Sequence, residues 1–208
     1  MGSPVRTSGV AMSWLGGYRS LWVALGIVGA KAQHTKGEAD ALRRWASGRS
    51  AIVEIGVAEG ASAAVLLSSM SSGGNLWLVD PFHLSRNPLF NTGQWAARRT
   101  VAGESGSTDT KIHFVQMHSE KAVRGWSHPL DLLFIDGDHS YDSVLADWNA
   151  WSPFLVSDGL VAFHDAVRVL GHPDGPARVV DDLFRGRPLP GWTIVEEIDS
   201  LVVVCRSD

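Results

Sequence analysis

LLFIDGDHSY, residues 132–141, and VAFHDA, residues 161–166, decide the fold. Each is a continuous apolar run that stops abruptly at acidic residues and histidine. A strand buried on both faces reads as an unbroken hydrophobic run, and in open α/β sheets polar side chains gather just past the carboxyl ends of such strands. Asp136, Asp138, His139, His164 and Asp165 follow these two runs, so five groups able to hold protons or metal are expected at one sheet edge.

Outward from this pair, apolar runs alternate with helical spacing. Ala51–Gly56, Leu76–Val79 and Ile112–Gln116 read as strands, as do Asp131–Ile135 and Gly159–Phe163. Helices are expected at Ala61–Met70, Gln94–Val101, Ser119–Gly125 and Ala177–Phe184. Another lies between the two opening runs, where Tyr141, Val144, Leu145 and Trp148 recur at helical period and mark a core-facing stripe. Trp192–Glu196 and Leu201–Cys205 are separated only by residues 197–200, which points to an antiparallel hairpin. The fold class is therefore α/β: a doubly wound, Rossmann-like, mostly parallel seven-stranded sheet ending in an antiparallel hairpin, with one reversed strand.

The amino-terminal part is different. Thr35 and Glu38 have capping-box spacing and open a helix carrying Leu42 and Trp45. Before it, residues 11–32 loosely imitate a secretion signal, but Lys31 falls inside the would-be cleavage motif and Arg19 interrupts the apolar run. An amino-terminal helical segment over Trp14–Gln33 is the better reading, packing on the domain, capping a ligand or joining a homodimer. The domain division is 1–34 for this segment and 35–208 for one α/β domain, with no internal repeat.

Composition narrows the function. A net charge of −4, with no basic run, argues against a nucleic-acid surface, and no segment is long and apolar enough to span a bilayer. The single Cys205 lies in LVVVC, cannot form an internal disulfide, and reads as a buried strand residue in a reducing cytoplasm. Nine tryptophans are read mainly as core, with two or three available to line an aromatic pocket. Loop 81–95, with Phe82, His83, Phe90 and Trp95, is the expected acceptor pocket together with the amino-terminal segment. His34, His113, His128 and His172 show no spacing that implies ligation.

IVEIGVAEGAS, residues 52–62, joins the first strand to its helix. Its small residues allow close backbone approach to a ligand at a helix amino terminus. A dinucleotide loop would read GxGxxG and avoid acid in the turn; here Glu59 stands in it and Glu54 just upstream, which suits a cationic or amino-bearing ligand. Asp80, ending the second strand, is placed to accept hydrogen bonds from a ribose diol.

The order VEIGxxEGxS, LVDPF, FIDGDHSY and FHDA resembles the class I S-adenosylmethionine-dependent methyltransferases, and within them the small-molecule O-methyltransferases of catechol, caffeoyl-CoA and macrolide-sugar type. The resemblance covers about residues 35–205. It implies S-adenosylmethionine as cofactor, held by Glu54, Gly56, Val57, Glu59, Gly60 and Ser62, by Asp80 at the ribose, and by Met117, His118, Ser119 and Asp136. The resembled enzymes often have an acid where this chain has His118. The resemblance also implies a divalent metal, Mg²⁺ or a transition ion such as Mn²⁺, Fe²⁺ or Zn²⁺, on Asp136, His164 and Asp165. His164 departs from the usual acidic or amide pair, and imidazole favours the transition ions. At the offset of His139 some relatives carry a lysine base and others a histidine, so His139 is the expected general base, with Asp138 as a second base or an orienting group.

The expected function is O-methylation of a hydroxyl on a small molecule, with no nucleic-acid or membrane partner. The alternatives are a metal-independent methyltransferase, an oxidoreductase on a similar sheet, a metal-dependent hydrolase or hydroxylase, and a catalytically silent binding protein. The missing GxGxxG disfavours the oxidoreductase, and the intact Asp136, His139 and Asp165 disfavour the silent protein.

Overall fold

The computed structural model describes residues 19–82, 91–104, 109–168, 174–186 and 188–207. Seven strands form one sheet: β1 (Ala51–Ile55), β2 (Asn75–Val79), β3 (Lys111–Val115), β4 (Leu130–Ile135), β5 (Leu155–Phe163), β6 (Trp192–Ile198) and β7 (Leu201–Arg206). Their order is β3-β2-β1-β4-β5-β7-β6, with β7 alone antiparallel to its neighbours. The single reversed strand and the closing hairpin are as the sequence implies. The hairpin folds back so that β7, not β6, pairs with β5.

The helices are α1 (Arg19–Ala24), α2 (Lys36–Ala46), α3 (Ala61–Leu67), α4 (Thr92–Glu104), α5 (Ser119–Ala122), α6 (Tyr141–Trp151) and α7 (Gly175–Val180), the last running into a π-type turn over Asp181–Gly186. Two apolar layers sandwich the sheet. One holds Leu42, Leu66, Leu78, Phe82 and Phe134, the other Trp148, Trp151, Phe163 and Phe184. Period-2 alternation along β1, β4 and β5 sends neighbours to opposite layers, which is why these strands read as solid hydrophobic runs.

Several expected boundaries shift. The amino-terminal helix is much shorter than Trp14–Gln33: among the described residues it ends at Ala24, before Gly26 at φ 72°, and residues up to 34 run without helix. The rest of that segment, and His83, Phe90 and His172, lie outside the described residues. α5 closes after one turn. Cys205 is only partly buried, because β7 ends beside the sheet margin. Aromatic contacts join five of the tryptophans to the core, Trp148 packing edge-on to Phe184 and Trp192, and Trp126 to Trp77 and Trp151, whereas Trp95 is exposed. None of the described tryptophans lines the main cavity.

Strand register fixes what meets at the carboxyl edge. Val115 pairs with Val79, Val79 with Ile55, Ile55 with Ile135, and Ile135 with Phe163. The next residues, Gly56, Asp80, Asp136 and His164, therefore emerge level. The ladder continues through them: Gly56 N–H donates to Val79 O (3.0 Å), Asp136 N–H to Ile55 O (2.8 Å) and His164 N–H to Ile135 O (3.1 Å). Strand order reverses between β1 and β4, and this topological switch is where an open α/β sheet leaves a crevice.

Candidate active site

A cavity of about 860 Å³ opens at that switch. Gly56, Asp80, Asp136, Asp138 and His139 border it from the strand ends, and His118, Ser119 and Glu120 from the start of α5. The amino-terminal half of α6 adds Asp142, Ser143, Ala146 and Asp147, at spacings that share one helical face. These α6 positions, together with Gln33 and Glu120, are site residues that sequence reading missed, although their i, i+4 pattern was visible. Among the described lining residues none is Lys or Arg.

The loop after β1 is built for close approach. Gly56 has φ 87°, and a Cβ added there would collide with the Asp136 carbonyl and come within 2.7 Å of Gly137 Cα. Only glycine lets the ends of β1 and β4 pass this closely. Gly60 at φ 84° then opens α3. A second, smaller recess lies beside this loop, lined by Gly56, Val57, Glu59, Ser62 and Asp136 and also by Lys31, Gln33 and His34. His34 borders this recess because the chain between α1 and α2 crosses the loop.

The carboxylates divide their tasks in ways the sequence did not show. Glu54 is fully buried, its Oε1 accepts from the Ser62 hydroxyl, and its Oε2 has no hydrogen-bond partner. Burial pushes its pKa well above the usual range and favours the neutral acid. Glu59 turns away from the loop: it accepts Lys31 N–H at 2.9 Å and lies 3.3 Å from Arg19 Nε, tying down the amino-terminal segment. Asp80 borders the cavity while accepting three backbone amides, Val57 and Ala58 on Oδ2 (2.8 and 3.0 Å) and Phe82 on Oδ1 (2.5 Å). It is first a clamp between the β1 and β2 loops, with about one lone-pair site left for a ligand hydroxyl.

Near the expected adenine contacts, Ser119 accepts from Trp151 Nε1 at 2.7 Å, His118 precedes the first turn of α5, and Met117 is exposed and outside the cavity lining. Asp138 accepts Ser140 N–H at 2.7 Å, and this bond holds its carboxyl below the ordinary carboxylate range. Its carboxylate thus shapes the turn into α6, whose N-cap is Ser140, and its charge also acts with that of the adjacent His139. Asp147, at the cavity floor, is pushed up by burial.

The level edge brings the remaining groups together. His139 Nε2 lies 3.7 Å from Asp136 Oδ1 and its Nδ1 lies 3.4 Å from Asp165 Oδ2. His164 Nδ1 lies 3.1 Å from the same Asp136 oxygen and 3.6 Å from Asp165 Oδ2. Its Nε2 faces Glu38 Oε2 at 3.5 Å. None of the His164 contacts has hydrogen-bond direction, so the ring is held by charge and packing, including an edge-on contact with Phe134. Asp165 itself sits at φ 49°, a conformation rare outside glycine and concentrated at functional turns.

These contacts set the charges. The Asp136 carboxylate 3.7 Å away, outweighing partial burial, raises the His139 pKa above 6.5, and Asp165 adds to the rise. Burial alone would depress His164, yet Asp136, Asp165 and Glu38 overcome it and raise its pKa to about 9. Burial likewise works against the ionised form of Asp136, but His139 and His164 hold its pKa below the ordinary value. The carboxylates of Asp136, Asp165 and Glu38 thus favour the protonated form of the His164 ring. Among the described residues no three His, Cys, Asp or Glu side chains converge as a metal group. Nothing in this arrangement supports the divalent metal expected on Asp136, His164 and Asp165.

A methyltransferase-domain family pattern matches residues 53–166, spanning β1 to the turn after β5. The chain belongs to this family. It is, as the motif order implies, a class I S-adenosylmethionine-dependent methyltransferase. Solved structures agree in fold. An O-methyltransferase from Bacillus cereus in complex with SAH is 16% identical with TM-score 0.64, over 92% of this chain and 90% of that one. TomG from Streptomyces achromogenes, an O-methyltransferase involved in tomaymycin synthesis, is 14% identical with TM-score 0.64, over 97% and 92%. An rRNA methylase from Streptococcus thermophilus is 14% identical with TM-score 0.55, over 85% and 100%. The fold alone thus spans different acceptors, and the acceptor of this methyltransferase must be argued from its site.

Proposed function

We propose that this methyltransferase O-methylates a small hydroxylated molecule, with His139 as the general base. The observation that carries this reading is the position of His139: it borders the cavity at the topological switch, with each ring nitrogen within 3.7 Å of a carboxylate. S-adenosylmethionine supplies a methyl group on a sulfonium sulfur, and the glycine-bounded loop and the acidic lining fit its positive charge. Asp80 is assigned to the ribose, Gly56 and its neighbours to the methionyl portion, and His118–Glu120 to the adenine.

The chain's own chemistry is positioning and proton removal. Methyl transfer forms a carbon–oxygen bond as the carbon–sulfur bond breaks, and the acceptor hydroxyl must lose its proton. His139, when neutral, takes that proton at one ring nitrogen. Asp136 and Asp165 then stabilise the imidazolium formed, the usual task of a carboxylate beside a catalytic histidine. A small acceptor is favoured over RNA by the acidic lining and the net charge of −4, which would repel phosphates.

The test combines calorimetry with transfer of a labelled methyl group from S-adenosylmethionine to a panel of hydroxylated small molecules and to rRNA fragments. Cofactor binding, transfer to a small acceptor, and loss of transfer in His139→Ala with cofactor affinity retained are the expected results. Transfer to RNA alone, or full turnover without His139, would overturn the reading.

A further inference from the structure

Glu38 was visible in the sequence only as the third residue of a capping box. In the structure it is 1% exposed, and its two oxygens serve three elements at once. Oε2 accepts Thr35 N–H at 2.7 Å, completing the cap of α2. Oε1 accepts both the amide and the hydroxyl of Ser200, at 2.8 and 2.6 Å, in the turn between β6 and β7. Oε2 also stands 3.5 Å from His164 Nε2. Ser200 in turn receives Ala166 N–H on its carbonyl at 2.7 Å, so the same turn fastens the backbone just past Asp165.

A helix cap does not require this burial. Capping interactions contribute on the order of 1 kcal/mol and are made well by solvated side chains. Withdrawing a carboxylate from water costs several kcal/mol unless it is paired and hydrogen-bonded. The remaining contact of Glu38 is with the His164 ring, whose Nε2 lies 3.5 Å from Oε2. That ring has no directed hydrogen bond of its own to fix its rotation. From Glu38 a continuous row runs to His164, to Asp136 Oδ1 at 3.1 Å, and to His139 Nε2 at 3.7 Å.

We propose that Glu38 is a positioning residue of the methyl-transfer site: it fixes the ring of His164, which holds Asp136 and through it His139. The proposal rests on the reading of His139 as the base. It assigns the helix α2 terminus and the β6–β7 turn a part in catalysis, although neither borders the main cavity. Glu38 touches no reacting atom; it acts through two intermediaries.

The experiment is read on the protein itself and needs no acceptor. Histidine ring nitrogen NMR spectra are recorded at fixed pH for wild type, E38Q, H164Q and E38Q/H164Q. E38Q is expected to move the resonances of both His164 and His139, while those of His113 and His128, stacked on Trp77 in the other layer, stay in place and report an intact fold. In the H164Q background the same E38Q change is expected to leave His139 unmoved, because the link is already cut. E38D keeps the charge but shortens the reach, and gives the same result in smaller measure should E38Q fail to fold. An unmoved His139 in E38Q or E38D, or a shift of equal size with and without His164, would overturn the proposal. Failure of the methyltransfer reading would show separately, as absence of calorimetric heat with S-adenosylmethionine in the wild-type protein.

Discussion

Removing His164 should change how stability depends on pH, and by an amount the structure sets. The ring is 5% exposed and its pKa stands at about 9, against 6.5 for an unhindered imidazole. A displacement of about 2.5 pH units at ~1.4 kcal/mol each corresponds to about 3 kcal/mol. Because the folded state binds the proton more tightly, this stabilisation is fully present below pH 6.5 and fades as pH rises through 9. Other titrating groups contribute to the wild-type curve as well, so the quantity to follow is the difference between wild type and His164→Gln. Urea unfolding at half-unit steps from pH 5.5 to 9.5 measures it. Wild type should lose about 3 kcal/mol more than the variant over the interval, equivalent to roughly 6–12 °C in thermal midpoint for a chain of this size. A flat difference curve would refute the buried imidazolium. It would also reopen the question of a metal between Asp136 and Asp165.

Further outcomes are expected. Gly56→Ala should destabilise the fold by about 2–4 kcal/mol, from the left-handed backbone and the collision with Asp136, and should abolish cofactor binding; urea unfolding and calorimetry read the two effects. Turnover should rise with pH through a midpoint above 6.5, since the neutral form of His139 is the base and Asp136 favours its charged form; Asp136→Asn should lower that midpoint. EDTA followed by Mg²⁺ or Mn²⁺ should leave the thermal midpoint unchanged, and a rise on adding either ion would restore Asp136 and Asp165 as ligands. Glu59→Gln should alter global stability by less than about 1 kcal/mol, because the Arg19 partner is well solvated, yet expose residues 19–33 to limited proteolysis.

The sequence determined the sheet and its functional edge. Solid apolar runs at β1, β4 and β5 reveal strands buried on both faces, and their sharp polar endings mark the carboxyl edge, because burial imposes a local pattern on every residue of such a strand. The loop at 54–60, Asp80 and the Asp136–His139 turn were legible for the same reason: each lies within a few residues of a strand end. What the tertiary structure decided are relations between charges distant in sequence. Glu38 and Asp136 meet on opposite sides of one imidazole only because the start of α2 is fastened to the β6–β7 turn through Ser200. Glu54 and Glu59 looked alike in the loop, yet one is a buried acid held by Ser62 and the other a tether for Arg19 and Lys31. His164 read as a metal ligand from its neighbours in sequence. Its neighbours in space favour the protonated ring, since protonation depends on the field of every nearby charge and on the water excluded, and neither is written in a local motif.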